Sequence, residues 1–322
     1  MSTAPRAESP LVIVLVGPTA SGKSEVALEL APRLGAEIIS ADSRQVYKEL
    51  DIGTAKPPSE ALRAVKHHFV DEIPPDREFS AGEFGEKGRR LIAALLARGK
   101  RPLVVGGSGL YLRSLIDGLF EGPGASHELR QRLEREVDAG HTAELLEELR
   151  RVDPEAARHA DPTKPRRIIR ALEVYALTGR PLSELQRESR LAPTFEARQF
   201  GLLWPREELY RRIEHRCDEM LSRGLLDEVE KLDRMGYDAR LNALNTVGYA
   251  EAFAYRRGEM SYSEMVRLFK QNSRRYAKRQ MTWFRADKRI QWIPMVEGRS
   301  ALDVAVEIER GFLASGSAFS YI

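Results

Sequence analysis

Apolar and β-branched runs at 11–16, 37–40 and 103–105 alternate with apolar positions at helical spacing over 22–34 and 81–98. Parallel βαβ units read this way, because a strand buried on both faces is apolar throughout while its crossover helix is apolar on one stripe. The N-terminal part is therefore predicted to be doubly wound. From 127 to about 190 the pattern changes to charged amphipathic helix, as in HELRQRLEREVDAGHTAELLEELRRVD, with no strand-like run between 126 and 192. This predicts a helical insertion, with the turn-rich segments EGPGAS at 121–126 and RLAPT at 190–194 as hinges that let it move. RQFGLLW at 198–204 returns to a strand pattern, the remainder is mostly helical, and RIQWIP at 289–294 reads as a late strand.

Composition narrows the picture mainly by exclusion. The 322 residues carry 51 Lys and Arg against 48 Asp and Glu, so a nucleic-acid footprint has to come from uneven distribution of charge. No apolar stretch approaches the roughly 20 residues that span a bilayer, and 1–10 lacks the apolar core of a signal peptide. A cytoplasmic monomer with no membrane partner is expected. The single Cys217 excludes an internal disulfide and reads as a small buried hydrophobe. His67 and His68 have no Asp, Glu or Cys at ligand-like spacing and read as structural or hydrogen-bonding groups, so a zinc site is not expected.

Five segments carry chemistry. GPTASGKS at 17–24 fits G-x-x-x-x-G-K-[ST] between a strand and a helix. Its backbone N–H groups converge on a phosphate at the positive end of a helix, Lys23 adds a point charge, and the Ser24 hydroxyl would reach Mg2+. The motif specifies polyphosphate binding without specifying a nucleoside triphosphate. Asp42, in SADSRQVYKELDIGTAKP directly after the second strand, should face the same crevice, since ligands of open parallel sheets sit beyond the carboxyl ends of strands. It reads as a general base, a Mg2+ ligand or a helix N-cap at DSRQ. VVGGSGLYL at 104–112 ends its strand in glycines and the Ser108 hydroxyl, where P-loop triphosphatases usually deliver an Asp to magnesium. Close approach of backbone to a ligand and a plain strand-to-helix turn both fit those glycines. In RLFKQNSRRYAKRQMTWFRADKR at 267–289, Arg267, Arg274, Lys278 and Arg285 fall on one helical stripe, with Phe269, Tyr276 and Trp283 opposite. The basic stripe, with few acidic residues at helical spacing, reads as a phosphate track, against a solvated surface helix as the alternative; the aromatics read as core. Lys164, Arg166, Arg167 and Arg170 gather at a helix start inside the insertion, where cations oppose the macrodipole, and a phosphate partner would explain them.

Taken together, GPTASGKS, DSRQVY at 42, DIGTAKP at 51, HH at 67, GGSGLYL at 106, RALEVYALTGRPLSE at 170, VGYAE at 247 and RRYAKRQMTWFR at 274 resemble the bacterial tRNA dimethylallyltransferases over most of the chain. The resemblance implies an α/β fold: a P-loop NTPase-like core with a parallel sheet flanked by helices, plus an all-helical insertion domain. The core and its C-terminal helical part would occupy 1–121 and 194–322, and the insertion 122–193 would clasp a tRNA anticodon arm. The implied reaction moves a dimethylallyl group from dimethylallyl diphosphate, with Mg2+, to N6 of the adenosine 3′ of the anticodon in tRNAs reading codons that begin with U. The resemblance makes Asp42, Lys23 and Ser108 catalytic, with Asp42 accepting the N6 proton and Ser108 standing where many relatives carry Thr. Gly17, Pro18, Thr19, Ala20, Ser21, Gly22, Lys23, Ser24 and Arg216 would bind the diphosphate, with Arg211, Arg212 and Arg223 lying near Arg216 in sequence. Asp42, Ser43, Arg44, Gln45, Ser108, Arg130, Arg166, Arg167, Arg170, Arg274, Arg275, Lys278 and Arg279 would contact tRNA. Arg166 stands where relatives often have Gln, so phosphate contact is expected there. The residues alone leave two other readings: a P-loop kinase with Asp42 as base, and an RNA-binding module whose phosphate loop is a nucleotide switch.

Overall fold

A computed structural model describes residues 9–118, 126–188 and 194–313. Strands β1 (Leu11–Val16), β2 (Ala36–Ser40), β3 (His67–His68), β4 (Arg101–Gly106), β5 (Glu196–Leu203) and β6 (Gln291–Pro294) form one parallel sheet in the order β3-β2-β4-β1-β5-β6. Helices α1 (Lys23–Leu34), α2 (Ser59–Ala64), α3 (Ala81–Ala97) and α4 (Gly109–Asp117) follow the first strands. Then come α5 (His127–Asp138), α6 (Thr142–Val152), α7 (Pro154–Arg158), α8 (Arg166–Thr178) and α9 (Leu182–Glu188), and after β5 the helices α10 (Arg206–Ser222), α11 (Leu225–Arg234), α12 (Tyr249–Arg256), α13 (Tyr262–Ala286) and α14 (Ala301–Leu313). Among the described residues no helix is long and apolar enough to cross a membrane.

The run LVIVLV makes β1 central: its residues from Val12 onward are buried on both faces, which a strand between two helical layers requires. β3 escaped the sequence pattern because it is only two residues long and pairs on one side, Ile38 with His67 and Ile39 with His68. Its histidines are tied down locally: His67 Nδ1 lies 2.8 Å from the Val65 carbonyl and His68 Nε2 lies 2.7 Å from Glu37.

Register brings the chemistry together. Val16 pairs with Gly106, and Ser40 pairs with Val105, so the phosphate loop, the Asp42 turn and the glycine end of β4 leave one edge of the sheet side by side. The Ala41 N–H donates to the Val105 carbonyl at 2.7 Å and the Ser108 N–H to the Ala41 carbonyl at 3.2 Å. Gly106 has to be glycine because a Cβ there would run into the Ala41 backbone.

The chain divides into two compact units, 1–116 with 193–322, and 117–192. The first has its core on the sheet. The second is helical and has its own core of Leu133, Leu145, Leu146, Leu149, Ile168, Ile169 and Leu172. The segments read as hinges fall largely outside the described residues, at 121–125 and 190–193.

Candidate active site

The phosphate loop is braced from outside, which leaves its inner face for a ligand. The Trp204 indole donates to the Ser21 carbonyl at 2.9 Å, and Arg212 Nε to the Ala20 carbonyl at 2.9 Å, with the Arg212 guanidinium 4.5 Å from the Trp204 ring. Gly22 turns the chain into α1 with φ 91°, a left-handed conformation that favours glycine. Below it, the first-turn amides of α1 lack intrahelical acceptors. Thr19 differs from its neighbours: its N–H is already donated to Gln280 Oε1 at 2.9 Å. Lys23 Nζ donates to the Pro18 carbonyl at 2.6 Å, and burial together with the positive charge of Arg216 pushes its ammonium down to about 8, opposed by Asp42 and Glu25.

Asp42 caps no helix, because 43–46 is a turn; its Oδ1 accepts the N–H of Arg44 at 2.8 Å and of Gln45 at 3.4 Å. Among the described residues nothing donates to Oδ2. One oxygen is thus fixed by the backbone and the other is free for chemistry. The next layer is a chain of hydrogen bonds: Ser40 Oγ to Gln45 Oε1 at 3.1 Å, then Gln45 Nε2 to the carbonyls of Thr54 and Ala55 at 3.3 and 3.2 Å. Behind it Glu228 accepts the N–H groups of Asp51, Ile52 and Gly53 and the hydroxyl of Tyr249.

Two cavities open onto this edge. The first, about 210 Å3, has a polar part (Thr19, Lys23, Ser24, Asp42, Arg216) and an apolar part (Ala27, Leu28, Ile213, Met220, Val247, Phe269). The second, about 440 Å3, is lined by Ser108, Phe79, Tyr111, Asn242, Arg279 and Trp283. Ser43, Arg44, Gly107, Tyr276 and Gln280 line both. Of the four arginines near 216 in sequence, Arg216 alone lines a cavity. Its Nε is buried without a partner among the described residues, and burial holds its guanidinium below the usual range. Arg211 is exposed on Glu208, Arg212 braces the loop, and Arg223 is exposed. Ser108 Oγ accepts the Ser43 N–H at 3.1 Å.

A family model for IPP transferase matches residues 45–287. The chain belongs to the IPP transferase family. It is 47% identical over 289 residues to tRNA dimethylallyltransferase 1 of Pelobacter propionicus, covering 89% of this chain and 94% of that one. To tRNA dimethylallyltransferase of Geobacter metallireducens it is 48% identical, with 89% and 93% covered. Among solved structures it resembles the tRNA isopentenylpyrophosphate transferase of Bacillus halodurans (TM-score 0.70, 36% identity, 96% of each chain). It also resembles a eukaryotic dimethylallyltransferase acting on tRNA (TM-score 0.81, 26% identity, 95% of this chain and 80% of that one). The matched family segment begins after the phosphate loop and Asp42.

Within this IPP transferase the cationic residues divide by their partners. Acidic partners reach α13 from its own first turn and from α10: Arg267 pairs with Glu264, three residues earlier on α13, at 2.6 Å, Lys270 with Asp218 at 2.7 Å, and Arg274 with Glu214 of α10. Of the stripe read as a phosphate track, Arg267 and Arg274 thus carry ion pairs within the protein. Lys278, Arg279 and Arg285 are exposed and form no ion pair among the described residues, while Arg275 lies 3.4 Å from Asn272. The expectation that the α13 aromatics are core holds for Phe269; Tyr276 and Trp283 line the cavities, and buried Ser273, Ala277 and Gln280 take the inner positions. In the helical unit, Arg170 and Arg130 both reach the buried Glu173, at 2.7 and 3.1 Å, so two of the cations have a partner within the protein. Arg166 and Arg167 stand exposed.

Gln280 and Glu228 were not anticipated. Gln280 lies within RRYAKRQMTWFR, a segment noted for its cations, and Glu228 resembles any acid on an amphipathic helix until α11 packs against the 51–53 loop.

Proposed function

We propose that this chain is a tRNA dimethylallyltransferase, moving the dimethylallyl group from its diphosphate to N6 of the adenosine 3′ of the anticodon in tRNAs that read codons beginning with U. The observation that carries the reading is the make-up of the first cavity, where a phosphate cradle and a free carboxylate oxygen adjoin an apolar wall. A nucleoside would require polar partners along that wall, whereas a hydrocarbon chain requires none. The names of the relatives and of the tRNA-acting eukaryotic neighbour support RNA as acceptor.

In this reading the diphosphate lies on the loop between Lys23 and Arg216, and the acceptor base reaches Asp42 through the second cavity. The N6 lone pair attacks the allylic C1, the C1–O electron pair leaves with diphosphate, and the N6 proton passes to Asp42 Oδ2. Lys23 and Arg216, preformed and partly desolvated, stabilise the charge that develops on the leaving group. The donor set suits Mg2+: Ser24 offers at the cavity a hydroxyl with no partner among the described residues, and hard oxygen donors from substrate and water complete such sites. When bound, the ion would neutralise diphosphate charge. An extruded loop adenosine is cheaper to present than a stacked duplex base. Arg166 and Arg167 in the helical unit, with Lys278, Arg279 and Arg285 on α13, are the cations available for RNA phosphates.

The test is incubation with anticodon stem-loop RNA, Mg2+ and either labelled dimethylallyl diphosphate or labelled ATP. Label transferred to RNA from the isoprenoid alone is the expected result. Label from ATP alone would establish a kinase, and no transfer with RNA still bound would establish a binding module.

A further inference from the structure

Four polar side chains line both cavities: Ser43, Arg44, Tyr276 and Gln280. Gln280 is held at both ends of its amide, its Oε1 accepting the Thr19 N–H and its Nε2 donating to the Gly107 carbonyl, both at 2.9 Å. Tyr276 sits one turn earlier on the same face of α13. The two bonds of Gln280 therefore hold the Tyr276 turn against both the phosphate loop and the end of β4, while buried Ser273 and Ala277 anchor it from the core side.

The Tyr276 hydroxyl makes no hydrogen bond to any described residue. The half-buried Tyr276 lines both cavities, so a hydroxyl with no partner among the described residues is available to a ligand there. Burial, with Asp42 acting in the same direction and Arg44 and Arg279 opposing, pushes this phenol up to about 12, so at neutral pH it carries its proton. It is a fixed donor at the junction of the two cavities, within electrostatic reach of the carboxylate assigned to the amine.

We infer that the Tyr276 hydroxyl donates a hydrogen bond to N1 of the extruded adenine, beside the N6 amine that faces Asp42. The inference rests on the acceptor proposed above. Extruded bases are read on their Watson–Crick edge, and on that edge adenine presents an N–H donor at N6 next to a lone pair at N1. A carboxylate beside a phenol O–H is the complement of that pair. Guanine reverses both groups, with a carbonyl at position 6 and an N–H at N1, so it would set a carbonyl against Asp42 and a donor against a donor. Tyr276 thus positions the base and selects adenine, while Asp42 moves the proton.

The experiment uses the full-length wild type and Tyr276→Phe, with stem-loops carrying adenosine, 1-deazaadenosine or 7-deazaadenosine at the target position and saturating dimethylallyl diphosphate. Tyr276→Phe keeps the ring, and an unchanged melting midpoint verifies the fold. Loss of one hydrogen bond predicts about tenfold lower kcat/KM on adenosine, with the KM for dimethylallyl diphosphate unaltered. Replacing N1 by carbon also changes the amine intrinsically, but that effect is common to both enzymes and cancels in the double-mutant cycle. The 1-deaza substitution should therefore cost the wild type about tenfold more than it costs Tyr276→Phe, and 7-deaza should cost both equally. An equal 1-deaza penalty in both enzymes, coupling to N7 instead, or a change confined to the diphosphate KM would overturn the inference. Failure of the wild type to modify even the adenosine stem-loop would overturn the assigned function itself, a result separable from the others.

Discussion

Replacing Glu228 by Gln changes one atom and should disable the wall of the first cavity. Each carboxylate oxygen holds two donors: Oε2 accepts from Asp51 and Ile52 N–H at 2.9 and 2.7 Å, and Oε1 from Gly53 N–H at 3.1 Å and Tyr249 O–H at 2.5 Å. A glutamine amide can turn either way: its NH2 meets the Asp51 and Ile52 N–H donors in one orientation, and in the other the Gly53 N–H together with the Tyr249 hydroxyl, which can turn to accept. In the better orientation one bond to a charged group, worth about 1.5–3 kcal/mol, is lost and the other three fall to neutral strength, by about 1 kcal/mol each, which amounts to ~4–6 kcal/mol. That corresponds to a melting midpoint lower by roughly 10 °C. The loop these bonds hold continues into Gly53 and Thr54, which line the cavity, and into the carbonyls that orient Gln45 beside the Asp42 turn. The surviving folded protein should therefore show a raised KM for dimethylallyl diphosphate. Thermal and urea melts with steady-state kinetics on both substrates measure this, with Tyr249→Phe, which removes one donor, as the milder control. A Glu228→Gln protein that melts with the parent, or that loses less stability than Tyr249→Phe, would refute the reasoning.

Other outcomes follow from the same geometry. Asp42→Asn retains the Oδ1 that accepts the Arg44 N–H but removes the base, so single-turnover transfer should fall by about 10²–10⁴ with RNA and diphosphate binding retained; a matching loss of binding would indicate a positional role. Lys23, held down to about 8, is charged below that pH and neutral above it, so kcat/KM for the diphosphate should decline as pH rises through about 8. Bound diphosphate favours the ammonium, so kcat should hold to higher pH, and a Lys23→Met protein should lack the decline. Arg166→Gln with Arg167→Gln should weaken stem-loop binding and reduce the slope of log K against log salt by about 0.7 for each RNA phosphate that is no longer neutralised. Arg170→Gln should instead lower the melting midpoint, because it withdraws a partner from the buried Glu173 carboxylate.

The alternation of strands and helices, the phosphate loop, the Asp42 turn after β2 and the helical character of 127–188 were all legible along the chain. Each is written in residues adjacent in sequence: strand period, helix period, glycines at set spacing. β3 was not, because a two-residue edge strand carries no period. Nor were the commitments of the polar residues. Arg267, Arg274, Arg130 and Arg170 looked alike as free cations; Glu264 and Glu173 lie at helical spacing from Arg267 and Arg170, but only packing brings Glu214 to Arg274 and Glu173 to Arg130. Gln280 is 261 residues from Thr19 and Glu228 is 177 from Asp51, yet they fix the loops on which the chemistry depends. The sequence by itself determined which groups are available for phosphate and proton chemistry, since identity and local spacing suffice for that. Tertiary structure decided which of them are free to act: whether a side chain is occupied, as Arg274 is by Glu214, or left open, as the Tyr276 hydroxyl is among the described residues, is set by contacts between segments distant along the chain.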